Sequence, residues 1–406
     1  MPSDVPSKRK VDNIKEEEKK SENCEKIGEK KAKIDANGGG DRLELSRIGF
    51  GCWQLGCGGT EDYWGLEFTD ELAKQLVNLS AENGIFYFDT AECYNDGKSE
   101  SQLSRALESL DPKLKSKVVI GSKILPNHCD NVRKSLNATL DRLNIKSIDL
   151  YMVHWPITKK GMAHFASASG ETKKGGLDYS KTNDQNIKSV PGVTKAFEQL
   201  MELQREGLIK HIGVSNFGVH QLKQALATGV KIAVNQICYN LIFRAPEFEV
   251  IPCCVENGIQ VICYSVLGQG LLTGRYANVE EVPLYRARTR HFDSSINPKS
   301  RHGEKGHEEL LFKTIEKLNT ISKTSGIGMA QLALAFPLTT QGVRCVIAGA
   351  TKDKQVISNA KAGLIKIPES VVVQLREATD ELKEAMGGNI DAWQGMKEGV
   401  NTSRCF

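Results

Sequence analysis

Four residues of the 406-residue chain combine an acid, a phenol, an ammonium and an imidazole: Asp89, Tyr94, Lys123 and His154. Asp89, Lys123 and His154 end the apolar, β-branched runs "IFYFD", "VVIGSK" and "IDLYMVH", and Tyr94 follows Asp89 in the turn-rich stretch "TAECYNDGKSE". Reduction of a carbonyl by hydride leaves a developing alkoxide, which needs a proton donor and a polar, preorganised surround. A free phenol has a pKa of about 10, and a neighbouring ammonium favours its deprotonated form, easing proton transfer near neutral pH. On this reading Tyr94 is the acid, Lys123 its activator and Asp89 the group that keeps Lys123 charged and oriented. His154 would hydrogen-bond the carbonyl oxygen without changing charge. One polar strand end is ordinarily a helix cap or a satisfied core group, but a run of them on successive strands calls for a common mouth.

The elements that must position these residues alternate. Short β-branched runs separated by segments of helical period predict parallel strands with crossover helices. The strands are expected at β1 Ile48–Trp53, β2 Phe86–Asp89, β3 Val118–Lys123, β4 Ile148–His154, β5 His211–Ser215, β6 Ala233–Gln236, β7 Gln260–Tyr264 and β8 Cys345–Gly349. Ser215, Asn216, Gln236 and Tyr264 extend the series of polar strand ends. Helical segments include "TDELAKQLVNLSAENG", with Thr69 as N-cap and Gly84 as stop, and "DNVRKSLNATLDRLN", apolar at Val132, Leu136, Leu140 and Leu143. Eight strands predict an α/β fold of the (β/α)8 TIM-barrel type over 42–406, with an open doubly wound sheet as the rival. Long loops follow β4 (Trp155 to Ser189) and β7 (Leu267 to Glu308), where a barrel carries its active site. Residues 1–41 alternate Lys and Glu with few large apolar side chains and are expected to form a disordered charged tail.

The same stretches carry a resemblance. "GIFYFDTAECYNDGKSE", "VVIGSKI", "IDLYMVHWP", "GLIKHIGVSNF", "NQICYN" and "CYSVLGQGLLTG" are similar, in order, to motifs of the aldo-keto reductase superfamily. The resemblance implies the same division of labour among Asp89, Tyr94, Lys123 and His154. It also implies NADP(H), with NAD(H) the less favoured cofactor, bound extended across the barrel mouth. Ser215, Asn216 and Gln236 would hold the nicotinamide carboxamide and Tyr264 would stack on its ring. Ser265, Leu267 and Gly268 belong to the same segment. Gly51 and Trp53 in "GFGCWQLG" would border cofactor and substrate, while Gln54 occupies the third-glycine position of a Rossmann fingerprint and removes that reading. "IAGATKDKQVISNAKA" is similar to the family's adenosine-phosphate site, contributing Gly349, Ala350, Thr351, Lys352, Lys354, Gln355 and Asn359. Here Gln355 stands where many members have arginine and Ala350 where serine is frequent, so Lys352 and Lys354 are expected to take the 2′-phosphate, and the basic "RARTRHF" and "SRHGEKG" to close over the pyrophosphate.

Composition narrows the partners. A net charge of +4 spread along the chain argues against a nucleic-acid surface. No run approaches the roughly 18 apolar residues of a membrane helix, and the charged N-terminus points to the cytoplasm, with "SKRK" at Ser7–Lys10 a weak nuclear-import signal. The eleven cysteines are scattered and are expected to be reduced, with Cys93 a packing residue. His291, His302 and His307 with Glu304 and Glu308 lack metal-ligand spacing and are expected in a solvated basic loop. The leading expectation is an oxidoreductase acting on a small carbonyl or alcohol. The alternatives are a nucleotide-sensing regulatory subunit with the N-terminal tail as partner-binding arm, as the superfamily's resemblance to channel accessory subunits implies, and a metal-dependent barrel hydrolase. Trp393, near the C-terminal "DAWQGMKEGV", is expected to reach the mouth.

Overall fold

The computed structural model describes residues 42–59, 66–163, 165, 187–397, 400, 401 and 403–405. The expected tail and most of the loop after β4 lie outside the described residues. Within the unit Glu44–Phe406, eight parallel strands close into a barrel in sequence order: β1 Ile48–Gly51, β2 Tyr87–Asp89, β3 Val119–Ile124, β4 Ile148–Val153, β5 Ile209–Ser215, β6 Ile232–Cys238, β7 Gln260–Tyr264 and β8 Val343–Ala348. Closure is direct: β1 pairs with β2 through Gly51 and Asp89, and with β8 through Ile48 and Val346. An open sheet would leave β1 or β8 with a bare edge, so the doubly wound alternative is excluded. β7 has the expected bounds and the other strands differ by at most two residues at either end, because the ladder and not hydrophobicity decides where pairing stops.

The helices follow their caps. Thr69 Oγ1 accepts from Leu72 N and starts the helix Asp70–Glu82, after which Gly84 takes a left-handed φ of 81°. Asn131 caps Val132–Leu143, which buries Val132, Leu136, Leu140 and Leu143 against the barrel. Two antiparallel pairs, Gly58–Gly59 with Leu66–Glu67 and Met396–Lys397 with Val400–Asn401, were not anticipated, since two-residue strands leave no periodic signal. The loop after β7 also departs from expectation. Instead of a solvated basic loop it is a packed cover, with Arg290, His291 and His302 buried. Arg290 donates to the Glu304 carboxylate and to the carbonyls of Met386 and Asn389, and His291 Nε2 lies 2.8 Å from the Ile242 carbonyl. Local charge could not reveal that these side chains would find partners far away in sequence.

Inside the barrel, Tyr87 is fully buried beneath Asp89, its phenol donating to Asp89 Oδ1 at 3.1 Å. The ring fits because β3 places Gly121 opposite it: a Cβ there would lie 2.5 Å from Tyr87 Oη. Overpacking at such a contact costs about 1–3 kcal/mol. Gly121→Ala is expected to lower stability by that amount, measured as the urea midpoint, whereas unchanged stability would show that Tyr87 can relocate.

Candidate active site

Lys123 is the centre of the mouth. It sits on β3 with no exposed side-chain surface, and its Nζ donates to Asp89 Oδ2 at 2.7 Å, to the Thr90 carbonyl at 2.7 Å and to Tyr94 Oη at 3.2 Å. An ammonium has three donors, so all of them are directed. Asp89 is in turn held by Tyr87 and by Gln236 Nε2, which donates to Oδ1 at 2.7 Å. The loop that delivers Tyr94 turns through left-handed backbone at Asn95, Asp96 and Gly97. Asn95 ties it down by donating to the carbonyls of Trp53 and Leu55.

His154 follows β4 directly. Its ring meets Tyr94 edge-on at 5.7 Å between centroids and stacks on Phe165 at 6.0 Å. Burial, reinforced by Lys123 and then Arg404, holds its pKa well below the usual 6.5. Cys93 Sγ lies 3.5 Å from His154 Nδ1. Trp53 is 40% exposed, with its ring 6.3 Å from that of Tyr94. It therefore borders the same opening and is not core.

The residues expected to hold a nicotinamide are brought together and bonded to one another. Ser215 Oγ donates to the Gln236 carbonyl. Asn216, in left-handed backbone at φ 64°, donates from Nδ2 to the His154 carbonyl at 3.0 Å and accepts from Tyr264 Oη at 2.6 Å. Trp393 reaches the mouth as expected and stacks on Tyr264, centroids 6.0 Å apart and planes 9° from parallel. Ser265, Leu267 and Gly268 continue from Tyr264 into a turn closed by Gly268 N donating to the Ser265 carbonyl.

At the end of β8, Lys352 and Lys354 stand exposed at the start of the helix Asp353–Leu364, with Asn359 buried on its inner face. Gln355 is exposed, and its Oε1 accepts from the backbone N–H groups of Thr351 and Lys352. The two ammonium groups remain as the charge that fits an anion at this turn. Gly51 packs closely on β8: a Cβ on it would lie 2.9 Å from Ile347. Gln54, which removed the Rossmann reading, is buried, donates to the Ala350 carbonyl and packs against Gly349. It thereby fixes the turn that carries Lys352.

Several residues escaped notice in the sequence. Glu100 is fully buried, accepting from Ser122 at 2.5 Å and from Arg142 at 2.6 Å behind Lys123's strand. Asp391 and Arg404 form a buried pair near the mouth. The "KSE" after Tyr94 was a visible signal for Glu100; nothing local pointed to the other two. No cluster of three or more metal-ligating side chains occurs among the described residues, and the described cysteines are free thiols. No helix among the described residues is long and apolar enough to cross a membrane.

Residues 47–380 match the Aldo/keto reductase family. The chain belongs to that family. This places it among the oxidoreductases. The NADH-specific methylglyoxal reductase of Escherichia coli (strain K12) is 27% identical over 361 residues, covering 84% of this chain and 97% of its own. The aldo-keto reductase yakc of Schizosaccharomyces pombe, designated NADP(+), is 25% identical over 87% of this chain and 94% of its own. In three dimensions a glycerol dehydrogenase from Gluconobacter oxydans superimposes with a TM-score of 0.64 at 21% identity, covering 86% of this chain and 95% of that one, a likeness of fold.

The state of His154 predicts how this barrel responds to acid. A histidine whose folded pKa is depressed is protonated more readily unfolded, so its contribution to stability is present above about pH 6.5 and is lost as pH falls below it. His154→Gln should flatten the fall in the urea midpoint between pH 7 and pH 5, and an unchanged slope would show that the ring reaches solvent.

Proposed function

We propose that the chain is an NADPH-dependent carbonyl reductase of the aldo/keto reductase family, also able to run in the alcohol-oxidising direction, with 42–406 as its catalytic barrel and Tyr94 as the proton donor. The observation that carries this is the contact from Lys123 Nζ to Tyr94 Oη at 3.2 Å, made by an ammonium whose other two donors are fixed on Asp89 and Thr90. When bound, the reduced nicotinamide supplies the hydride that goes to the carbonyl carbon. Tyr94 gives its phenolic proton to the oxygen, and Lys123 stabilises the phenolate left behind.

His154 is suited to hold that oxygen. Burial raises the thiol pKa of Cys93, so Cys93 stays protonated beside Nδ1 and can donate to it. A neutral ring that accepts at Nδ1 carries its proton on Nε2. His154 then offers a donor to the carbonyl oxygen without a change of charge. Ser215, Asn216, Gln236 and Tyr264 are assigned to the carboxamide and ring of the nicotinamide, a reading supported by their clustering beside His154. Lys352 and Lys354 favour the phosphorylated cofactor, and the designation of the fission-yeast relative agrees. The bacterial relative's NADH designation makes this preference worth measuring directly.

Tyr94→Phe should lower kcat for aldehyde reduction by about 10²- to 10⁴-fold while leaving NADPH binding, followed by fluorescence quenching, unchanged. Undiminished turnover would remove Tyr94 as the acid. Tight NADPH binding with no turnover of any aldehyde or ketone by the native protein would favour a nucleotide-sensing subunit. The double variant Lys352→Met, Lys354→Met should weaken NADPH by about tenfold or more and NADH little, since one lost phosphate contact is worth on the order of 1.4 kcal/mol. Equal losses for the two nucleotides would place the 2′-phosphate elsewhere.

A further inference from the structure

The segment that follows the last long helix, Glu369–Met386, folds back over the mouth and brings a guanidinium with it. Arg404 is fully buried, with Nε and Nη2 donating to the two carboxylate oxygens of Asp391, each at 2.9 Å. Its plane lies over the indole of Trp155, the residue after His154, with Cζ 3.5 Å from the ring centroid. The carboxylate is itself fixed, accepting from the backbone N–H groups of Trp393 and Arg404, and Trp393 is the ring stacked on Tyr264. The segment is anchored by Ser403, which donates to Asn389 Oδ1, and by the Cys405 carbonyl against Gly218. Arg404 acts electrostatically on both His154 and Tyr264.

One part of this arrangement is unfinished. Nη1 of Arg404 is buried and has no hydrogen-bond partner among the described residues. With the Nε–Nη2 edge committed to Asp391, Nη1 points away from the carboxylate. A buried donor left unsatisfied costs on the order of 1–3 kcal/mol, so a fold that keeps one beside its catalytic centre has reason to present it to a ligand. For stability alone an apolar side chain on Trp155 would serve as well.

Resting on the reductase reading above, we propose that Arg404 is a specificity-determining residue whose free Nη1 binds an oxygen acceptor on the substrate, so that preferred substrates carry a carboxylate or hydroxyl group in addition to the carbonyl. Asp391 and Trp155 hold the guanidinium as a fixed fork. The incoming acceptor completes its hydrogen bonds and turns the carbonyl toward Tyr94 and His154.

The test uses three aldehydes of the same frame: benzaldehyde, 4-carboxybenzaldehyde and 4-(hydroxymethyl)benzaldehyde, with NADPH, in the native full chain and in Arg404→Met and Arg404→Lys. The expected result is a kcat/KM at least about tenfold higher for one of the substituted aldehydes than for benzaldehyde. The favoured arm identifies the acceptor as carboxylate or hydroxyl. In Arg404→Met the ratio should fall to about one, and in Arg404→Lys to an intermediate value. Two results overturn the inference: a native enzyme that reduces benzaldehyde with no preference among the three, or a methionine variant that loses activity on all three equally and keeps the ratio, which marks a structural latch. Neither touches the reductase reading. Failure of the native chain to reduce any of the three while binding NADPH overturns this inference, and the reductase reading falls with it only when no other aldehyde or ketone is turned over.

Discussion

Everything at the mouth of this barrel depends on one desolvated ammonium. Removing a charge of that kind from water is costly unless it is paired and hydrogen-bonded, and Lys123 is matched donor for donor by Asp89, Thr90 and Tyr94. The match binds together residues from β2, the loop beyond it and β3. It also makes Asp89 a hub: Tyr87 from below and Gln236 from across the barrel donate to the oxygen that Lys123 leaves open. Removing any one partner would leave a buried charge or donor unsatisfied, so the phenol is positioned by the same constraint that keeps the barrel interior stable.

A second tier of hydrogen bonds reaches the opposite side of the mouth. Tyr264 holds Asn216, and Asn216 holds the backbone of His154. The imidazole is thus oriented from β5 and β7 while its own strand supplies the covalent attachment. Such preorganisation is where catalytic electrostatics gain their strength, since the dipoles need not reorient as charge develops.

How legible this was in the sequence depended on range. Strand count, closure order, the Thr69 cap and the convergence of Asp89, Tyr94, Lys123 and His154 on one mouth were readable because each is signalled within a dozen residues, by period, by turn formers or by a polar residue ending an apolar run. The cover of the mouth was not. Arg290 reads as closing over a pyrophosphate and His291 as part of a solvated basic loop, because their partners, the carbonyls of Met386, Asn389 and Ile242, are backbone groups without sequence identity. Gln355 stands where arginine is frequent, and nothing local showed that its side chain would also close the start of its own helix. Arg404 gave no local sign, since its meaning lies in Asp391 and Trp155, one close in sequence and the other just beyond the distant β4.

The closed sheet has a consequence for how the molecule is made. β1 finds one neighbour at once in β2, but its other partner is β8, which emerges after nearly all of the barrel sequence. Until then a nascent chain carries two bare strand edges, and the hydrophobic interior stands open between them. Pairing between distant segments is slow, and unpaired edges are sites of association between chains. The interval between synthesis of β7 and capture of β1 by β8 is therefore when this chain is most exposed to aggregation, and assistance from chaperones would matter most there.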